Sequence, residues 1–302
     1  MKYLITIVGP TAIGKTSLSI ALAQHLHCDI ISCDSRQFFE EMGIGTAVPS
    51  TEELARAQHH FIQNKSIFEN YTVGDFEKEA IAKLDELFFT NDYVVMVGGS
   101  GLYVEAVLKG FDDFPKVLAS VRDEVTSNYE KLGIEYLQTE LEKRDPNYFS
   151  VVAKENPQRM MRALEVCIGS GKPYSSFLNQ KKNTRNFTPI LIGLEAERNT
   201  IYDRINERVE SMINEGLLAE AKELFPHKNL NALQTVGYRE LFRYFEEEIS
   251  LEFAIEEIKK NTRRFAKRQL TWFKRNEKTM WFDYLTNQKE VIDYLTAIIH
   301  NS

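Results

Sequence analysis

Eight residues near the start of the chain, Gly9, Pro10, Thr11, Ala12, Ile13, Gly14, Lys15 and Thr16, fit the phosphate-cradling pattern G-x-x-x-x-G-K-[ST]. They follow directly on the apolar run Tyr3-Leu4-Ile5-Thr6-Ile7-Val8, and Leu18, Leu22 and Leu26 recur after them at helical spacing. A glycine-rich turn between a buried strand and a helix aims several backbone N–H groups at one point. The Lys15 ammonium and the positive end of the helix then add charge for a di- or triphosphate. The chain is therefore expected to hold a phosphate chain, and the loop alone leaves open whether that phosphate is hydrolysed or transferred.

Two further segments bear on the chemistry. Asp29-Ile30-Ile31-Ser32-Cys33 reads as a second short strand ending at Asp34-Ser35-Arg36-Gln37, and Tyr93–Val97 reads as a third, ending at Gly98-Gly99-Ser100-Gly101. A phosphate-hydrolysing enzyme of this kind needs an acidic residue closing a strand near the metal and a group that orients water. Asp34 can supply the first, but the strand at 93–97 ends without a carboxylate, so ordinary ATPase or GTPase machinery is poorly represented. The glycines of the 98–101 loop permit close backbone approach, and Ser100 offers a hydroxyl beside the phosphate site.

The segment from Lys259 to Arg275 concentrates positive charge. On a helix, Lys260, Arg264, Arg268 and Arg275 form one stripe and Arg263, Lys267 and Lys274 the adjoining one, with Phe265, Trp272 and Phe273 expected on the docking side. A chain with 37 basic and 44 acidic residues, net charge −7, does not coat nucleic acid indiscriminately, yet a localised basic face of this kind suits a phosphate backbone. Arg159 and Arg162, one turn apart after Pro157, and the loop Gln234-Thr235-Val236-Gly237-Tyr238-Arg239 could form a second, base-reading surface. The adjacent pair His59-His60 projects apart on helix or strand and receives no metal role.

These groups must be carried by a scaffold. In the first third, strands alternate with helices such as the amphipathic stretch 75–89, which predicts a parallel sheet with its functional loops at the carboxyl ends of the strands. The pattern turns all-helical from about Asp112 to Arg185, with helices at 117–132, 134–144 and 157–168, and β character returns at 189–194. The expectation is an α/β protein with a P-loop NTPase-like parallel sheet flanked by helices: residues 1–111 form its first part, 112–185 an all-helical insertion, and 186–302 its continuation with basic C-terminal helices. Three scattered cysteines, Cys28, Cys33 and Cys167, make neither a disulfide framework nor a zinc site, and no apolar run reaches the length needed to span a bilayer. A cytoplasmic protein is expected, with no membrane partner.

Taken in order, Gly-Pro-Thr-Ala-x-Gly-Lys-Thr at 9–16, Asp-Ser-x-Gln at 34–37, Gly-Gly-Ser-Gly-Leu-Tyr at 98–103, Gln-Arg-x-x-Arg at 158–162, Val-Gly-Tyr-Arg at 236–239 and Thr-Arg-Arg-Phe-Ala-Lys-Arg-Gln-Leu-Thr-Trp-Phe at 262–273 resemble the bacterial tRNA dimethylallyltransferases over nearly the whole length. The resemblance implies transfer of a dimethylallyl group from dimethylallyl diphosphate to N6 of the adenine just 3′ of the anticodon in tRNA, with Mg2+ and release of diphosphate. It makes Asp34 the general base, with Thr11 helping to orient the reacting groups. Residues Gly9–Thr16 and Arg204 become the diphosphate site, and Thr16 a magnesium ligand. Asp34, Ser35, Arg36, Gln37, Ser100, Arg122, Gln158, Arg159, Met160, Met161, Arg162, Gln234, Thr235, Val236, Gly237, Tyr238, Arg239, Arg264 and Arg268 become contacts to the anticodon stem-loop, on a monomer. Arg36 and Ser100 depart modestly from the usual pattern. Competing readings are an adenylate isopentenyltransferase acting on free AMP, ADP or ATP, a P-loop kinase or NTPase, and a non-catalytic RNA-binding protein.

Overall fold

The structure is a computed structural model that describes residues 1–180 and 185–300; residues 181–184, at the end of the expected insertion, lie outside the described residues. In chain order the elements are β1 (Tyr3–Val8), α1 (Lys15–Leu26), β2 (Ile30–Ser32), α2 (Thr51–Arg56), β3 (His59–His60), α3 (Val73–Thr90), β4 (Tyr93–Val97) and α4 (Gly101–Lys109). There follow α5 (Ala119–Leu132), α6 (Ile134–Arg144), α7 (Pro146–Val151) and α8 (Pro157–Ser170). The chain then returns through β5 (Thr188–Glu195), α9 (Arg198–Glu215), α10 (Leu217–Leu224), α11 (Tyr238–Phe245), α12 (Leu251–Phe273), β6 (Met280–Asp283) and α13 (Gln288–His300). Two compact units result, Met1–Lys109 with Arg185–Ser302, and Gly110–Thr184.

The first unit is built on a six-stranded sheet of order β3-β2-β4-β1-β5-β6, parallel throughout. Its central strand β1 is buried at every residue, as expected when helices cover both faces. Period-two alternation divides its side chains: Tyr3, Ile5 and Ile7 pack with Leu18, Leu22, Ile192 and Leu295, while Leu4 and Val8 pack with Phe76, Leu84 and Val104. A third apolar cluster, including Met42, Val209, Leu217, Leu233, Tyr238 and Ile258, fastens α9 to α12 together. The ends of β2, β4 and β1 lie side by side because Cys33 N–H donates to Val97 and Gly98 N–H donates to Ile7, each one step past the ladder. That adjacency places three loops, 9–14, 33–37 and 98–100, at one edge.

The second unit packs α5 to α8 around Val125, Leu137, Leu141, Met160, Leu164 and Cys167. The fully buried Asp145 caps α7 at Tyr148 N–H and binds both the N–H and the hydroxyl of Ser175 at 2.6 and 2.8 Å, so its charge is met by three donors.

Strands β3 and β6 are not anticipated by the sequence. The first is two histidines long, and the second is the four-residue edge Met280-Trp281-Phe282-Asp283, too short for alternation to register. The docking face of α12 also differs from expectation. Ala254, Ile258, Ala266, Gln269 and Phe273 are buried, whereas Phe265 is exposed and Trp272 only partly covered, because a polar residue, Gln269, takes a docking position.

Candidate active site

The phosphate loop begins at Gly9 and delivers Lys15 at the first residue of α1, with Gly14 as helix N-cap at φ 102°. Ala12 holds φ 63°, a left-handed conformation that costs an L-residue about 1–2 kcal/mol. Its carbonyl accepts a 2.7 Å hydrogen bond from Arg204 Nε, which anchors the strained residue from α9. Lys15 Nζ donates to Pro10 O at 2.7 Å across the loop.

Around this loop lies a cavity of about 940 Å³ floored by Thr11 to Ser17 and walled by Ser32, Asp34, Arg204 and Arg208, with Ile44, Val48, Ile62 and Met212 as apolar lining. A second cavity, about 500 Å³, is lined by Ser35, Arg36, Gly99 to Tyr103, Gln234 to Gly237, Arg239, Phe265, Arg268, Gln269 and Trp272. The two share Thr11, Asp34, Thr46, Arg208 and Met212. A phosphate-bearing molecule can thus enter from one side and a second reactant from the other, meeting beside Asp34.

Asp34 Oδ1 accepts from Arg36 N–H at 3.2 Å, an Asx-type turn that fixes the carboxylate at the strand end. Ser100 binds the 34–37 loop from the side, its Oγ accepting from Ser35 N–H and lying 3.1 Å from the Ser35 hydroxyl. Arg36 Nη1 donates to the carbonyls of Asn231 and Ala232 at 3.3 and 2.8 Å, so this unusual residue ties the Asp34 loop to the segment that leads into 234–239.

Arg208 was not among the residues singled out from the sequence. It lies one turn after Arg204 on α9 and lines both cavities; its Nη1 reaches Thr11 Oγ1 at 3.4 Å. The Arg204–Arg208 spacing of four was a usable signal, since it puts two guanidinium groups on one helix face. Burial lowers the Arg208 pKa, and the Asp34 charge opposes that shift. Burial likewise drives the Lys15 pKa from 10.5 down to about 8, Asp34 pulling it up and Arg208 pushing it down.

The unfolded chain holds the Lys15 proton more tightly, so folding gains stability from this group as pH rises from about 8 to 10.5. Binding of a phosphate chain runs the other way, because the anion restores the ammonium. Calorimetric titration with inorganic diphosphate should show affinity falling as pH rises above about 8, with proton uptake on binding there. Affinity independent of pH between 7 and 9.5 would remove Lys15 from the phosphate site.

Other sequence-derived residues are distributed unevenly. Gln37 lines the first cavity, but its amide donates to the carbonyls of Thr46 and Ala47, so it braces a loop. Tyr238, expected to touch nucleic acid, is fully buried, and its hydroxyl donates to Glu220 at 2.7 Å; burial removes it as a stacking ring. Glu220 in turn accepts from Gly43, Ile44 and Gly45 N–H, fixing the 43–46 wall of both cavities. Gln234 and Arg239 remain exposed at the rim of the second cavity. Arg122, Gln158, Arg159, Met160, Met161 and Arg162 belong to the second unit. There Arg122 and Arg162 share the buried Glu165, Gln158 and Arg159 are exposed, and Met160 is core, which excludes it from surface contact. On α12, Lys259 and Lys260 are paired with glutamates, and Lys274 just past its end with Glu195, while Arg264, Lys267 and Arg268 are exposed and, among the described residues, form no ion pair with an acid.

The same arrangement has known relatives. A family model described as IPP transferase matches residues 37–276. The chain is 70% identical to a tRNA dimethylallyltransferase from Flavobacterium johnsoniae, covering 100% of both chains, and 44% identical to tRNA dimethylallyltransferase 1 from Bacteroides fragilis, covering 99% of both. The crystal structure of the full-length tRNA isopentenylpyrophosphate transferase from Bacillus halodurans is similar at 35% identity and a TM-score of 0.73, over 100% of this chain and 96% of that one. A eukaryotic dimethylallyltransferase acting on tRNA shares the fold at 24% identity and a TM-score of 0.84, over 100% of this chain and 80% of that one. With the phosphate loop, the six parallel strands and this likeness over its whole length, the chain belongs to the IPP transferase family.

Proposed function

We propose that the chain transfers a dimethylallyl group from dimethylallyl diphosphate to N6 of the adenine immediately 3′ of the anticodon in tRNA. The observation that carries this reading is the pair of cavities meeting at Thr11, Asp34 and Arg208, one floored by the phosphate loop and the other open beside an exposed basic helix. The diphosphate lies on the N–H groups of the loop with Lys15, Arg204 and Arg208 around it, and the five-carbon group lies against Ile44, Val48 and Met212. The adenine leaves its stack and enters through the second cavity, since its amine cannot reach Asp34 from within a folded loop. The new N6–C bond forms as the allylic C–O bond breaks, the electron pair leaves on the diphosphate, and the N6 proton passes to the Asp34 carboxylate. Thr11 and Arg208 orient the two reactants at the junction.

Magnesium suits this site. The Thr16 hydroxyl stands where loop turns to helix, and Mg2+ is commonly held by one or two protein oxygens together with phosphate oxygens; among the described residues no cluster of three or more acidic, His or Cys side chains forms a closed cage. When bound, the ion neutralises charge on the departing diphosphate.

In the second unit Arg122, Gln158, Arg159 and Arg162 bind the anticodon arm, and on α12 Arg264 and Arg268 hold its phosphates, with the protein acting as a monomer in the cytoplasm. Among the described residues no helix is long and apolar enough to cross a membrane. Replacing both Arg264 and Arg268 with alanine should weaken tRNA binding and flatten its dependence on salt by about 0.7–0.9 in log–log slope for each phosphate left without its arginine. Filter binding across a salt series measures this; an unchanged slope would direct the RNA elsewhere. The reaction itself is tested by mass spectrometry after incubation with dimethylallyl diphosphate and either unmodified tRNA or free AMP, ADP and ATP. Prenylated nucleotide beside unreacted tRNA would overturn the reading.

A further inference from the structure

Gln269 of α12 is 5% exposed, and its amide is used at both ends: Oε1 accepts from Thr11 N–H at 2.9 Å and Nε2 donates to the Gly99 carbonyl at 2.9 Å. One side chain thereby spans from the phosphate loop to the loop after β4. Two glycines make this approach possible. A Cβ on Gly99 would stand 2.2 Å from Gln269 Nε2, and one on Gly101 would stand 2.3 Å from the Trp272 ring. Gly99 and Gly101 therefore admit α12, and the helix that approaches is the one carrying Phe265, Arg268 and Trp272 along the second cavity.

The Thr11 N–H is occupied by this bond, so in the phosphate loop Thr11 turns its main chain to Gln269 and its hydroxyl to Arg208. Few side chains can replace such a link, since an amide both accepts and donates in one plane. We propose that Gln269 is a positioning residue for the transfer: through Thr11 and Gly99 it fixes the passage between the two cavities and seats the RNA-facing helix against the phosphate loop. This rests on the proposed prenyl transfer, and it adds a residue whose amide is spent on Thr11 and Gly99.

The test uses the full chain as wild type, Gln269→Leu and Gln269→Glu, with single-turnover transfer, tRNA and dimethylallyl diphosphate affinities and thermal melting measured for each. Gln269→Leu should lose about 100-fold in the transfer rate, the cost of an ångström-scale misplacement, with both affinities little changed and melting lowered only modestly, by the two hydrogen bonds lost, so that the variant is folded at the assay temperature. Gln269→Glu should recover activity relative to wild type as pH falls, because a protonated glutamic acid accepts from Thr11 and donates to Gly99 as glutamine does, whereas the ionised form opposes the Gly99 carbonyl. A fully active Gln269→Leu, a loss of rate that only follows a loss of melting temperature and affinity, or a Glu to wild-type ratio flat with pH would each overturn the assignment. Wild type that fails to prenylate tRNA would instead overturn the function on which it rests.

Discussion

Asp34→Asn should slow single-turnover prenyl transfer by about 10²–10⁴-fold, the range that a positioned general base contributes, while tRNA still binds. Asparagine keeps the shape of the side chain and can still accept from Arg36 N–H at the Oδ1 position, so the 34–37 turn survives. What it loses is the acceptor for the N6 proton. The lone pair of that amine is delocalised into the adenine ring, so attack stalls unless the proton leaves as the bond forms. The substitution also removes the neighbour that does most to raise the Lys15 pKa and to oppose the Arg208 shift. Two consequences separate a base from a binding group. Near neutral pH the diphosphate should bind Asp34→Asn at least as well as wild type, because a negative charge has left the anion site; and the alkaline loss of affinity should begin at lower pH, because Lys15 gives up its proton more readily. A variant that raises KM with kcat intact would mean that Asp34 binds substrate and another group takes the proton.

The parts of this site that were legible in the sequence are those whose residue types have few alternative explanations. The phosphate loop announces itself because a glycine turn, a lysine and a hydroxyl must stand in fixed order between strand and helix, and it does so whether or not the rest of the chain is understood. Asp34 and the 98–101 loop became readable through strand alternation, since parallel strands deliver their following loops to one edge. What approaches the glycines was not legible: the sequence says only that this loop permits a close approach, and Gln269 and Trp272 are what come close to Gly99 and Gly101. Such a contact joins residues some 170 positions apart, and no local pattern encodes it. Tyr238 shows the converse. A tyrosine in a glycine-containing loop beside an arginine looks like a base-stacking ring, but its partner Glu220 sits 18 residues earlier on another helix and draws it into the core. The four residues of β6 and the two of β3 escaped because neither is long enough to show a period.

Arg208→Ala should lower kcat by about 10²–10³-fold, the loss measured when one preorganised electrostatic donor is removed from a site of developing charge. Among the described residues that the two cavities share, Arg208 is the one cation, and it faces Asp34 and Thr11. Its guanidinium is partly buried and already destabilised by desolvation, so it gains most when the diphosphate acquires its full negative charge. That gain belongs to the transition state more than to the ground state, and KM for dimethylallyl diphosphate should rise less than kcat falls. Arg208→Lys restores a charge without the planar fork that can reach Thr11 and an anion together, and should recover only part of the rate. The Lys15 titration adds an independent check. Arg208 lowers the Lys15 pKa, so in Arg208→Ala the alkaline loss of diphosphate affinity should move to higher pH, opposite to the shift in Asp34→Asn. Shifts of the same sign in both variants would show that the alkaline limb belongs to a group other than Lys15.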